Sequence, residues 1–188
     1  TATDKVLEYT AAAEKYLGSN YSDKWVIGIG NPVRELSGYE LSYRGALTAI
    51  NYSFYLGGNC SICISDLERS ETLADYSLFS YKEFAGYVKA NAAENAMDML
   101  KTLFGVFRKN TEPIETVQRI CHEIIVHLSI CMMQCGQDPN LVFKKTNIWD
   151  VIRRYDSIDA LEKFSTDIID VTCSSIAFCH EQKGADLI

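Results

Sequence analysis

Two hydrophobic periods follow one another along this chain. Residues 4–17, "DKVLEYTAAAEKYL", place Val6, Leu7, Tyr9, Ala13, Tyr16 and Leu17 at spacings close to one helical face. Thr3 or Asp4 can cap that helix and Gly18 can end it. "WVIGIG", 25–30, is a short β-branched run closed by Gly and Asn-Pro, which predicts a strand. The pattern turns helical again from about Glu40, with Leu41, Ala46 (or Gly45), Ala49, Ser53 and Leu56 along one side. Gly57-Gly58-Asn59 is the stop expected at a helix C-terminus. In "CSICISD", 60–66, Cys60, Ile62 and Ile64 alternate with Ser61, Cys63 and Ser65, a second strand. The first third therefore reads helix–strand–helix–strand.

Beyond residue 70 the helical period takes over. Helices are expected at about 81–108, 113–135, 147–154 and 158–182, the first breaking or bending near Lys89–Asn91. "NTEP", 110–113, is a helix start with Pro in the first turn, "CGQDPN", 135–140, is a loop, and Ser157 is a good N-cap. In the last helix Ile158, Leu161, Phe164, Ile168, Val171, Ser175 and Phe178 recur every three to four residues, widened by Ile169, Cys173 and Ile176. That width suits a helix buried in a bundle or shared between two subunits. The chain then runs into "HEQKGADLI" without a stop signal, as a piece of something longer would. The change of texture near 68–80 divides the chain into an α/β segment, 1–69, and a helical linker or dimerisation domain, 70–188. The fold class expected is α+β, a small helix–strand–helix–strand piece followed by an all-helical bundle.

Composition narrows the function. The chain has 188 residues, 47% of them hydrophobic, enough for a core. No long apolar run predicts a membrane span, and the N-terminus lacks the pattern of a signal peptide. The net charge of −7 makes the chain a poor binder of phosphate backbones, and its densest basic spots, Lys144-Lys145 and Arg153-Arg154, are short. Seven cysteines, mostly in apolar runs, fit free thiols in a reducing cytoplasm better than a disulfide framework.

Several motifs offer chemistry, and each has a plainer reading. "VIGIGNPV", 26–33, opens like a dinucleotide loop, but Val33 stands where the third glycine is needed and Pro32 removes an amide. A strand ending in a turn is the better reading. His122 and His127 lie five apart, so their imidazoles diverge by about 140° and cannot form a metalloprotease pair. His127, Cys131 and Cys135 do share a face, but a fourth ligand is missing and a core stripe with Ile124, Leu128 and Met132 explains them. Cys60 and Cys63 have CxxC spacing on a strand, away from the helix N-terminus that a redox pair uses. Asp and Glu lie along helix exteriors, and Ser174-Ser175 lacks the context of a triad. No catalytic, cofactor-binding or metal-ligating residue is assigned, and no cofactor is expected.

Residues 24–69 resemble the C-terminal half of a diguanylate-cyclase (GGDEF) domain. "WVIGIGNPV" stands at its strand, and "ALTAINYSFYLGGN", 46–59, at its helix and Gly-Asn end, with Ala46, Ala49, Gly57 and Asn59 matching. Leu47 replaces an aspartate of that pattern and Phe54 a lysine, and the signature loop is absent. The segment is still more similar to the degenerate version of this domain in AraC-type response regulators of Gram-positive bacteria. Ser42-Tyr43, Ala46, Tyr52-Ser53-Phe54, Gly57 and Asn59 carry that likeness, and Cys121–Leu128 matches a helix of their linker. The resemblance implies a non-catalytic, cytoplasmic segment of a two-component transcription regulator. It would couple an upstream receiver, addressed by a sensor kinase, to a DNA-binding domain outside this chain, and would form a homodimer. The rivals are a cyclase relic that still binds guanine nucleotide and a domain that holds a small effector among its helices.

Overall fold

The structure, a computed structural model, describes residues 2–67, 79–143 and 146–185. The chain divides into two compact units, Thr1–Glu71 and Thr72–Ile188. The boundary expected at 69/70 and the basic pair Lys144-Lys145 fall outside the described residues.

The first unit runs α1 (Ala2–Asn20), β1 (Val26–Ile29), α2 (Tyr39–Asn51), α3 (Ser53–Leu56) and β2 (Cys60–Cys63), with 3₁₀ turns at Leu36–Gly38 and Ile64–Asp66. β1 and β2 pair in parallel, Val26 opposite Cys60 and Ile29 opposite Cys63. Parallel neighbours need a crossover, and α2 with α3 supplies it, so the expected helix–strand–helix–strand piece is a βαβ unit preceded by a helix. Left-handed Asn59 (φ 63°) starts β2. Its N–H donates to Trp25 O (2.6 Å) and its Oδ1 accepts from Trp25 N (3.2 Å), which fixes the register.

Three expectations change here. The second strand stops at Cys63 and not at Asp66: its partner β1 ends at Ile29, opposite Cys63, and Ile64–Asp66 turns into a 3₁₀ helix. Of the side expected to be buried, Gly45, Ala46 and Ala49 do face the sheet, joined by Ser42, whereas Leu41 on α2 and Leu56 at the end of α3 are exposed. On α1, Val6, Tyr9 and Tyr16 are exposed while Ala13 and Leu17 are half-buried.

The second unit holds α4 (Tyr81–Lys89), α5 (Ala93–Asn110), α6 (Ile114–Gln134), α7 (Asn140–Phe143), α8 (Ile148–Ile152) and α9 (Ile158–Ala185). Each boundary has a local cause. Ser80 caps α4, accepting from Glu83 N (3.2 Å). The break between α4 and α5 falls at left-handed Asn91 (φ 56°). α5 ends at left-handed Thr111 and α6 before left-handed Gly136, where Gln137 N returns to Met132 O (2.9 Å). Asn147 caps α8. Ser157 Oγ accepts weakly from Ala160 N (3.4 Å) at the start of α9. α9 packs against α4, α5, α6 and α7. The core is aromatic on α4 and α5 (Phe84, Phe104, Phe107) and aliphatic on α6 and α9 (Ile124, Leu128, Ile169, Ile176). Arg108 at the end of α5 reaches Asp159 (2.6 Å) and Glu162 (2.5 Å) in the first turns of α9.

Candidate functional site

The glycine loop is the first candidate, and its glycines have another task. A Cβ on Gly30 would lie 1.9 Å from Ser42 O, and one on Gly28 would lie 2.2 Å from Ala46 O and 2.7 Å from Ile50 Cγ1. Both glycines face α2, whose backbone rests directly on β1. This is the helix–strand packing role that the third glycine performs in a dinucleotide fold. The two glycines that would cradle phosphate in such a loop are therefore already in contact with a helix. Phe54, which stands where the cyclase pattern has lysine, is buried.

The densest polar group lies on α4 and α6. Tyr81 Oη donates to Glu123 Oε2 (2.8 Å), and Arg119 donates to Glu123 Oε1 (2.6 Å). His127 stacks on Tyr81, centroids 4.4 Å apart. Its Nδ1 lies 2.9 Å from the carbonyl oxygen of Glu123; a carbonyl only accepts, so Nδ1 carries the hydrogen. Burial opposes the charge on Glu123, but hydrogen bonds from Tyr81 and Arg119 outweigh it and hold the carboxyl below its usual range. Burial, followed by the bond to Glu123, pushes the Tyr81 hydroxyl far above the phenol range. Both carboxylate oxygens are engaged within the group, and Tyr81 stays protonated, so the arrangement is a clamp between two helices.

His122 does not meet His127. It stacks on Trp149 of α8 at 4.5 Å, with Arg153 over the same indole at 5.7 Å. Cys131 is buried beside the core stripe, while His127 and Cys135 are half-buried. Among the described residues no group of three or more His, Cys, Asp or Glu is placed to hold a metal ion. Burial pushes the Cys121 thiol up to about 12 and the Cys173 thiol up to about 11. Burial and then Glu14 also raise Cys60, opposite to what a redox thiolate requires. Cys60 Sγ donates to Gly57 O (3.6 Å), a packing contact. Ser174 is exposed and Ser175 half-buried on α9.

Comparison with models of known families, with characterised proteins and with solved structures finds no match.

The remaining feature was only half legible. The broad stripe on α9 is two faces. Ile158, Leu161, Ser165, Ile169, Thr172 and Ile176 are buried, whereas Val171 and Phe178 are exposed on the far side. α6 repeats this: Val126, Ile130 and Met133 are exposed about 180° from its buried Ile124, Leu128 and Met132. "HEIIVHLSICMM" carried the signal, being apolar at nearly every turn position. No helix among the described residues is long and apolar enough to cross a membrane.

Proposed function

We propose that this chain is a non-catalytic, cytoplasmic segment of a bacterial AraC-type transcription regulator. It transmits a signal from an upstream receiver or sensor to a DNA-binding domain outside this chain, and does so as a homodimer. The observation that carries this reading is the second apolar face of α6. A helix with apolar stripes on opposite sides has two packing partners, and its own unit supplies one. Val126, Ile130 and Met133, with Val171 and Phe178 on α9, are apolar side chains suited to meeting another helical surface. A small shift between such packed helices is a recurrent way to move an output domain. The use of Gly28 and Gly30 for helix packing favours this over a guanine-nucleotide relic.

Light scattering tests it. The chain is expected to dimerise, and Ile130→Glu to give a monomer with unchanged helicity, because the side chain is partly exposed in the unit. A strict monomer at high concentration sinks the dimer. Saturable micromolar binding of a guanine nucleotide, followed by calorimetry, would replace the reading with its rival.

A further inference from the structure

Among the described residues, the first unit leaves one strand edge without a neighbour, a feature that does not depend on the proposed function. The sheet described has two strands, so β1 has one strand neighbour and a second edge that faces away from β2. The backbone N–H and C=O groups along that edge point outward in the plane of the sheet.

The orientation of α2 shows what lies above this edge. Ser42 and Ala46 rest on Gly30 and Gly28, directly over β1, while Gly45 faces Ile64 just past the end of β2. Turning further round the helix in the same sense, at 100° per residue, brings up Tyr39, Ile50, Tyr43 and Leu47. This sector projects beyond β1 on the side opposite β2. With Leu36 in the preceding turn, these five side chains are 38–84% exposed. Together they present on the order of 500 Å² of largely apolar surface, large for a monomer. Glu40 and Arg44 pair with each other on the outer side of α2, so that rim offers no net charge to select by.

We infer that the free edge of β1, roofed by this flank of α2, takes up an extended peptide strand with apolar side chains at alternate positions. The strand would hydrogen-bond to β1 and place its apolar side chains under Tyr43, Leu47 and Ile50. A second copy of β1 does not fit. Antiparallel pairing of two such edges leaves both helices on one sheet face, each directly over its own strand, about 4.8 Å apart. Packed helices need about 8–10 Å. The area points the same way, since on the order of 500 Å² falls short of the ~800 Å² per partner of a stable dimer, yet is enough for a short strand.

The test uses the full chain carrying Trp149→Phe, so that Trp25, next to β1, is the only tryptophan reporter. The probe is a short synthetic peptide of alternating Val and Thr with a lysine at each end. A saturable change in Trp25 fluorescence is expected, with Kd on the order of 10–100 µM. The same peptide with a central Pro should bind at least about tenfold more weakly, because it loses ladder hydrogen bonds. Tyr43→Asp with Leu47→Asp, both exposed, should weaken binding about as much while leaving the circular dichroism unchanged. No saturation up to millimolar peptide, or equal binding of the proline peptide, overturns the inference. So does light scattering that shows a dimer abolished by Tyr43→Asp, which would make the second copy the occupant.

Discussion

At the residue scale, the glycines of "VIGIGNPV" show how one spacing serves two geometries. Gly-x-Gly on a strand puts both α-carbons on the same face, and that face can meet phosphate or helix backbone equally well. Here it meets Ser42 and Ala46. Gly30→Ala would push a methyl group into a carbonyl that belongs to a helix backbone and cannot rotate away. A loss of about 2–4 kcal/mol is expected, at or above the usual cost of overpacking. Urea unfolding of the chain carrying Trp149→Phe, followed by Trp25 fluorescence, reads it, with Gly18→Ala as the control, since that position has open space. An effect below about 0.5 kcal/mol would mean that α2 does not rest on β1. The strand and its closing turn were legible in the sequence because Gly and Asn-Pro punctuate locally. The contact with α2 was not, because it joins residues twelve or more apart that no local pattern links. Thr172 was hidden too: it lies on the buried face of α9 with Ile169 and Ile176, and its buried hydroxyl has no hydrogen-bond partner.

At the element scale, the existence of the long helices was legible and their orientation only in part. The spans of α5, α6 and α9 fall close to those expected, since long helical repeats outweigh local exceptions, but Val171 and Phe178 of the expected α9 stripe are exposed. The buried side of α2 was legible in part: Gly45, Ala46 and Ala49 lie where the helical period puts them, but Leu41 and Leu56 are exposed and Ser42 holds a contact position that the period did not assign. Close packing on a strand selects small residues, which a count of large apolar ones overlooks. The clamp between α4 and α6 was equally hidden, because Tyr81 and Glu123 are 42 positions apart. It predicts a pH dependence. Glu123 has its folded pKa depressed, so the stability it adds is present above the ordinary glutamate pKa and is lost as pH falls through the lower folded value. Urea midpoints measured from pH 7 downward should fall more steeply for the native chain than for Glu123→Gln. The carboxylate is partly exposed, so the difference should stay below about 1 kcal/mol. Parallel curves for the two proteins would mean that Tyr81 and Arg119 do not favour the charged carboxylate.

At the scale of the whole molecule, the two units differ most in what they bury. In the first, Ala49, Phe54 and Ile62 are the buried apolar side chains among the described residues, against a much larger set drawn from α4, α5, α6, α8 and α9 in the second. Burying a large apolar side chain contributes about 1.5–3 kcal/mol, and ordering each residue costs about 1–2 kcal/mol of backbone entropy. A two-stranded sheet with so few buried side chains therefore has little surplus, whereas the bundle spreads its ordering cost over a continuous core. Amide hydrogen exchange should separate them. Residues 26–29 and 39–51 are expected to exchange by opening at low free energy, while the centres of α5, α6 and α9 should be protected up to global unfolding of their unit. Adding the alternating Val/Thr peptide should slow exchange in β1 and α2 and leave α9 unchanged, since the free edge of β1 involves the first unit alone. Equal protection in both units without peptide would mean that the first unit draws stability from a source other than its own three buried side chains. Its exposed tyrosines and leucines would then be the first surface to probe for what covers them.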